Sequence, residues 1–218
     1  MIVTAVERRH GSRARVRIYV DGAPALEMAS ARAKQRGLLP GRTIDAAELD
    51  ALRQDEARHD ALEAGARLVA RRPHSEREIR RKLAQRRYEP ALIDQTIARL
   101  RSMGAIDDAS FARSFAETRH RVSPRSRRMI VSELRSRGVD SAPAVAATEE
   151  LSDEEAAYRF AEKRLRMLSA DEYQAFRERL GAQLRRRGFD WDVVRATVDR
   201  CWRESGRSCG EVGIEYAG

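Results

Sequence analysis

Three short segments with the same residue pattern recur along this chain. They are Leu83–Glu89 (LAQRRYE), Leu134–Asp140 (LRSRGVD) and Leu184–Asp190 (LRRRGFD), and their leucines lie 51 and 50 residues apart. Each segment ends a basic amphipathic run on a leucine, crosses a turn, and then places one apolar residue before an acid. Similarity at a fixed period indicates repeated units, each of which shares its core with its neighbours.

Each of these segments has the pattern of a helix, a tight turn and a second helix. Gly138 and Gly188 stand just past a helix end, where the left-handed backbone conformation favours a residue without a Cβ. Arg87 occupies this position in the first copy, which predicts a turn that is either slightly costlier or built differently. Asp140 and Asp190 are then expected to cap the helices that follow.

The N-terminal residues carry the strongest strand signal of the chain. Apolar residues alternate with others from Arg15 to Val20, and Asp21-Gly22 is typical of a two-residue hairpin turn. Residues 1–6 can supply a third strand. A sheet of this size is marginal in isolation, so we expect it to pack on nearby helices.

Capping patterns mark the starts of several helices. In each of them a serine or aspartate, whose side chain can accept a backbone N–H bond, stands three residues before a glutamate. These pairs are Asp45 with Glu48, Ser75 with Glu78, Ser152 with Glu155, and Ser169 with Glu172. Ser123-Pro124 likewise has the pattern of an N-cap followed by proline at the first helical position.

Helical spacing predicts which faces are buried. Both tryptophans, Trp191 and Trp202, are expected to pack within the last repeat, and a binding platform is the alternative that we disfavour. The expected core positions are Leu62, Ala66, Val69, Ile79, Leu83, Ile93, Ile97 and Leu100 in the first repeat, Phe111, Phe115, Val122, Ile130 and Leu134 in the second, and Tyr173, Phe176, Leu180, Leu184, Val194, Val198 and Cys201 in the third.

The chain is therefore predicted to be mainly α-helical, with three tandem three-helix repeats and a small N-terminal β-hairpin or sheet. We assign residues 1–45 to the strand-rich segment, 46–106 to a linker helix and the first repeat, 107–151 to the second repeat, 152–204 to the third, and 205–218 to a disordered tail.

The composition of the 218 residues favours an anionic partner. Lys plus Arg number 43 against 34 Asp plus Glu, a net charge of +9, which suits nucleic acid or an acidic protein groove. The alternative is an arginine bias of the genome, since only three of these cations are lysines. The two cysteines have no metal-like companions and the sequence shows no signal peptide, which predicts a cytoplasmic protein. No apolar run of about 20 residues occurs, so we expect no membrane span. We also expect a monomer.

Signatures of the common enzyme classes are missing from the sequence. The four histidines are scattered and the cysteines are not spaced for zinc. Asp107-Asp108 could suggest a metal site, but adjacent residues on a starting helix diverge, and a cap is the preferred interpretation. No Gly-rich phosphate loop and no nucleophile elbow occur. We expect no catalytic residue, no metal and no cofactor.

The positive charge is concentrated in the first two repeats. The net charge is +4 for residues 61–110, +3 for 111–151 and 0 for 152–218. A solvated helix face is the usual fate of such residues, but few acids accompany the run from Arg119 to Arg128, which favours a binding surface. The candidate partner- or DNA-binding residues are Arg77, Arg80, Arg81, Arg119, Arg121, Arg125, Arg127, Arg128 and Arg135.

Several of these segments resemble the RecX family, bacterial regulators of the RecA recombinase. The resemblance lies in Ser75–Leu83 (SEREIRRKL), Gly104–Ala112 (GAIDDASFA), Leu134–Val139 and Leu184–Phe189, within a match over residues 60–204. It implies three three-helix units in an elongated, curved array without enzymatic activity, bound in the groove of the RecA–DNA filament. It also implies inhibition of the ATPase, strand-exchange and co-protease activities of RecA, by blocked filament extension or promoted disassembly.

A helix-turn-helix regulator that acts directly on DNA is the alternative. The helix after each turn would then enter a major groove and should carry polar groups that read bases. In the third repeat this helix carries Val193, Val194 and Val198, and in the second it is mostly alanine. Base readout is therefore disfavoured, whereas non-specific DNA affinity through the arginines would depend strongly on salt.

Overall fold

The computed structural model describes residues 1–8, 14–165 and 172–205 and is mostly helical. In chain order the elements are β1 (Val3–Arg8), β2 (Arg15–Val20), β3 (Ala23–Ala29), α1 (Ser30–Gln35), α2 (Ala46–Val69), α3 (Glu76–Gln85), α4 (Pro90–Ser102), α5 (Asp108–Val122), α6 (Arg127–Ser136), α7 (Ser141–Ala146), α8 (Asp153–Leu165), α9 (Tyr173–Arg186) and α10 (Trp191–Glu204). The predicted fold class, three three-helix repeats and a small N-terminal sheet, is confirmed. The predicted disordered tail, apart from Ser205, and the predicted cap at Ser169 lie outside the described residues.

The three strands form an antiparallel sheet in the order β1-β2-β3. Asp21 and Gly22 have φ angles of 48° and 82°, as the two-residue hairpin turn requires. The inward residues of β2, with Ile18 only 1% exposed, share a core with Leu49 and Leu52 of α2. The sheet is therefore covered by a helix, as expected from its small size.

A single 24-residue helix, α2, contains both the predicted linker and the first helix of repeat one. The predicted buried face of the first helix of repeat one was wrong by one position, since the buried residues in this part of α2 are Ala61, Ala64, Gly65 and Leu68. The reason is close packing on α4: a Cβ at Gly65 would lie 2.8 Å from Leu100 Cδ1. A glycine is not counted as an apolar residue in a hydrophobic pattern, yet Gly65 determines which face of α2 contacts α4.

The described residues divide into two compact units. The first lies within Met1–Arg71 and Lys82–Ala105, and the second within Arg72–Arg81 and Ile106–Gly218. The second unit contains two hydrophobic clusters, one on α5, α6 and α7 and one on α8, α9 and α10. Most predicted core residues of repeats two and three lie in them. Val122 does not, because α5 contributes Phe111, Ala112 and Ala116 to the core while its last turn leaves Val122 61% exposed.

The helix caps agree with the sequence at some positions and differ at others. Ser75 and Ser152 accept the predicted bonds from Glu78 N and Glu155 N, each at 3.1 Å. The cap of α6 is Ser126, which accepts from Met129 N, so the Ser123-Pro124 prediction was wrong and Ser123 instead ends α5. Asp140 and Asp190 hold N-cap positions in extended conformation but their side chains make no cap bond.

Candidate functional site

Within the second unit, an aspartate at the start of each later repeat closes the exposed N-terminus of a preceding helix. Asp108 Oδ1 accepts a hydrogen bond from the backbone N of Glu76 at 2.8 Å, at the start of α3. Asp153 Oδ1 accepts from the backbone N of Arg127 at 2.7 Å, at the start of α6. These bonds satisfy N–H groups that have no partner inside their own helix. The N-termini of α3 and α6 are therefore held in the same way, each by an aspartate of the following repeat.

The turn glycines lie at the same junctions. Gly138 and Gly188 have φ angles of 90° and 85°. A Cβ at Gly138 would stand 2.2 Å from Arg77 Cδ, and one at Gly188 would stand 2.6 Å from Ser126 Oγ. Glycine is thus required at both turns by backbone conformation and by close approach. Arg87 shares the positive φ, at 64°, but its side chain is exposed.

An open cleft of about 620 Å³ lies between α3 and the C-terminal end of α6. We call it the arginine cleft, and it brings together four of the nine candidate residues. Its lining residues are Arg77, Glu78, Arg80, Arg81, Arg135, Ser136 and Arg137. Helical spacing explains the α3 contribution, because residues three and four positions apart share a face.

The cleft carries an excess of positive charge. Glu78 is 6% exposed and already binds two guanidinium groups, Arg137 Nη1 at 2.7 Å and Arg72 Nη1 at 3.2 Å. Arg80 pairs with Glu76 on its own helix at 2.8 Å. The other three arginines of the cleft are exposed and form no ion pair with any described residue. They are Arg77, Arg81 and Arg135.

The three unpaired arginines make the cleft a suitable site for an anion. Arg77 and Arg81 stand four residues apart on α3, a like-charge spacing that destabilises a helix by a few tenths of a kcal/mol. The fully buried Ile79 and Leu83 hold the helix in spite of this repulsion. A phosphate or carboxylate in the cleft would relieve the repulsion and could accept paired hydrogen bonds from the guanidinium groups.

The remaining candidate residues lie in three other places. Arg119 of α5 and Arg125 of the connection to α6 both bind Glu133 of α6, Arg119 at 2.8 Å. Arg127 and Arg128 are exposed at the start of α6, where Arg128 lies 3.7 Å from Asp190. Arg121 is exposed in the last turn of α5. The run from Arg119 to Arg128 is therefore divided between structural and exposed side chains.

Two arginines that sequence reasoning did not select organise the repeat junctions. The backbone O of Arg137 accepts from Ser75 Oγ at 2.6 Å, and its guanidinium lies 5.0 Å from the Phe115 ring centroid. Arg187 Nη1 donates to Ser123 Oγ at 3.1 Å. Burial, and then the neighbouring positive charges led by Arg125, lower the pKa of Arg187. Their shared signal in the sequence is the Arg-Gly dipeptide that recurs after 50 residues.

The Asp107-Asp108 pair is a capping element, as its position at the start of a helix predicts. Asp107 Oδ1 accepts from Ala109 N at 2.9 Å, while Asp108 caps α3. Hydrogen bonds from Ser110 and Ala109 lower the pKa of Asp107. Within the described ranges no group of three His, Cys, Asp or Glu residues is placed to hold a metal ion.

Among the helices of the described residues, none combines the length and the apolar character needed to cross a membrane. The apolar faces of α5 to α10 contribute to the two hydrophobic clusters of the second unit.

Comparison with protein-family models gives three matches that follow one another along the chain. They are the first three-helix domain of RecX at residues 61–100, the second at 107–147 and the third at 152–198. Together they cover more than half of the chain. The fold similarity is also present in solved structures: a crystal structure of regulatory protein RecX matches with a TM-score of 0.63 at 20% identity, covering 91% of this chain and 98% of that one.

Sequence comparison with curated proteins also finds regulatory proteins RecX. The regulatory protein RecX of Chlorobium phaeobacteroides (strain BS1) is 35% identical over 146 residues, which cover 66% of this chain and 94% of the relative. The regulatory protein RecX of Prosthecochloris aestuarii (strain DSM 271 / SK 413) is 32% identical over 145 residues, which cover 66% and 95%. Because the family models cover all three helical repeats and these relatives are more than 30% identical over about two thirds of the chain, the chain belongs to the RecX family.

Proposed function

We propose that this protein is a negative regulator of RecA that binds the RecA–DNA filament through the arginine cleft. It acts in the cytoplasm as a monomer, seated in the filament groove. Binding there inhibits the ATPase, strand-exchange and co-protease activities of RecA, either by blocking filament extension or by promoting disassembly. Membership of the RecX family supports the choice of partner.

The observation that carries the cleft's role is the set of three exposed, unpaired arginines in one concavity, Arg77, Arg81 and Arg135. Guanidinium groups suit phosphate because their donors match its oxygens in pairs. Phosphate contacts position a protein on nucleic acid without reading its sequence. This is the kind of contact expected of a regulator that must act on filaments formed on any DNA.

The helix-turn-helix alternative is less well supported. The helix that would read bases in repeat three, α10, buries Val194 and Val198 in the core, at 3% and 1% exposure. Its counterpart in repeat two, α7, has only six residues. The exposed residues of α7 are a serine, two alanines and a valine, which offer few groups that could read bases in a major groove.

The test compares two triple variants in an assay of RecA's DNA-dependent ATPase. Arg77→Gln/Arg81→Gln/Arg135→Gln removes the unpaired charges of the cleft. Arg71→Gln/Arg86→Gln/Arg99→Gln removes the same charge from exposed positions that do not line it. Surface substitutions of this kind change stability little, so far-ultraviolet circular dichroism should be unchanged for both.

We expect the first variant to lose most of its inhibition and the control to inhibit as the parent does. Equal inhibition by both variants would show that the arginine cleft does not contribute to the inhibition of RecA. A parent protein without effect on the ATPase would remove RecA as the partner, and direct binding to bare DNA, measured in parallel, would then favour the alternative regulator.

A further inference from the structure

The last repeat contains a second pocket, of about 230 Å³, between α9 and α10. The apolar residues that line it include the buried Gly181, Val194 and Val198. A Cβ at Gly181 would lie 3.6 Å from Val194 Cγ1, so the small residue keeps the space between the helices open. A pocket of this volume suits a single ring system and not a larger cofactor.

Trp191 lines this pocket and is unusually exposed for an aromatic residue of its size. Half of its surface is accessible, whereas Trp202 is 4% exposed and packs against Tyr173 and Phe176. The expectation that both tryptophans pack in the core therefore holds for Trp202 only. The guanidinium carbon of Arg177 lies 5.7 Å from the Trp191 ring centroid, and much of the ring stays open to solvent.

Three arginines surround the exposed tryptophan. Arg177, Arg185 and Arg195 line the pocket, are exposed, and form no ion pair with a described residue. The two acids of the pocket are already engaged: Asp199 accepts from the Tyr173 hydroxyl, and Glu178 accepts from Gln174 Nε2 at 2.8 Å. Three arginines against two carboxylates give the lining a net charge of +1, whereas the net charge of residues 152–218 is zero.

We propose that this pocket binds an unpaired base of single-stranded nucleic acid, with the base stacked on Trp191 and the flanking phosphates held by the arginines. An exposed aromatic ring beside a positive groove is the arrangement by which proteins hold single strands without reading their sequence. In a duplex the faces of the bases are covered by their neighbours, so the site discriminates against duplex DNA. The inference goes beyond the proposed function, because it requires neither RecA nor the arginine cleft.

The two tryptophans make the test direct. Fluorescence of the parent protein is followed while a short oligothymidylate, a duplex of the same length, or inorganic phosphate is added. Stacking of a base on Trp191 should quench its emission, whereas the buried Trp202 should not respond. We expect strong quenching by the single strand, weak quenching by the duplex and none by phosphate.

Substitutions then assign the signal. Trp191→Leu keeps an apolar side chain but removes the aromatic face, and it should weaken single-strand affinity roughly five- to a hundredfold. Arg177→Gln/Arg195→Gln should weaken it also. Arg186→Gln/Arg203→Gln, which removes the same charge from exposed arginines that do not line the pocket, serves as the matched control. Affinity for all variants is measured by fluorescence anisotropy of a labelled oligonucleotide, which does not depend on the protein's tryptophans.

Quenching absent from the parent, or an oligothymidylate affinity that is unchanged in Trp191→Leu, would overturn the base-stacking site. Equal binding of single strand and duplex would leave only a phosphate contact and would overturn it too. Because the assay contains no RecA, these outcomes are independent of the ATPase test of the proposed function.

Discussion

Gly138, the turn glycine of repeat two, is the position where adding a single methyl group should lower the free energy of unfolding most. Gly138 has a φ of 90°, and a side chain in the left-handed region costs about 1–2 kcal/mol. An added Cβ would also meet Arg77 at 2.2 Å from its Cδ and 2.4 Å from its Cβ. The second distance involves an atom fixed to the α3 backbone, so a rotamer change cannot relieve it. Overpacking of this kind adds about 1–3 kcal/mol.

Gly138→Ala should therefore lower the free energy of unfolding by about 2–5 kcal/mol. Arg87 provides the matched control, since it has the same place in repeat one and a φ of 64°, but an exposed side chain. Arg87→Ala keeps a Cβ at that φ and should change stability by less than about 0.5 kcal/mol. Arg87→Gly should stabilise slightly, because relief of backbone strain is partly offset by the greater freedom of glycine in the unfolded chain.

The assay is urea denaturation followed by far-ultraviolet circular dichroism, with parent and variants at the same protein concentration. An equal loss of stability in Gly138→Ala and Arg87→Ala would contradict this prediction, because the close approach of Arg77 would then contribute nothing. A neutral Gly138→Ala would show in addition that the turn can adopt a different backbone conformation.

Three further predictions concern the core, the cleft and the buried thiol. Leu184→Ala should cost about 2–5 kcal/mol in the same denaturation assay, since Leu184 is fully buried, and a loss below about 0.5 kcal/mol would contradict its place in the core. If the three unpaired arginines of the cleft neutralise three phosphates, a plot of the logarithm of duplex-DNA affinity against the logarithm of salt concentration should have a slope of about −2.7. The triple cleft variant should have a shallower slope, and an unchanged slope would exclude the cleft from DNA contact. Burial raises the pKa of the Cys201 thiol to about 11, so the folded state favours the protonated form, and the stability that this gives is lost as pH rises from the ordinary thiol pKa of 9.0 through 11. Cys201→Ala should lack that part of the decline in a pH series of urea midpoints, and identical profiles for parent and variant would contradict the assignment.

The arginine cleft connects the repeat architecture to the proposed function. Asp108 and Gly138 place α3 against the end of α6, and this approach brings Arg77 and Arg135 to one concavity. Glu78, the acid that could neutralise the cleft, is instead used by Arg72 and Arg137. The same contacts that hold the repeats together therefore leave three cations without a partner.

Much of the architecture was determined by the sequence alone. The 50-residue period, the hairpin at Asp21-Gly22 and the buried leucines Leu83, Leu134 and Leu184 were all predicted correctly. Helical periodicity, turn conformation and capping depend on residues within about one helical turn of each other, so a local pattern contains the necessary information. Resemblance of a few helical segments was sufficient to indicate the family.

Only the tertiary structure decided which arginines are free. Arg119 and Arg81 cannot be told apart by their residue type or helical setting, yet Arg119 binds Glu133 and Arg81 binds no described acid. The partners that decide this are distant in the sequence, as in the pair of Arg137 with Glu78, 59 residues apart. Gly65 likewise sets the buried face of α2 through its contact with α4. Packing between elements selects ion-pair partners and contact faces by proximity in space, and no local pattern records that proximity.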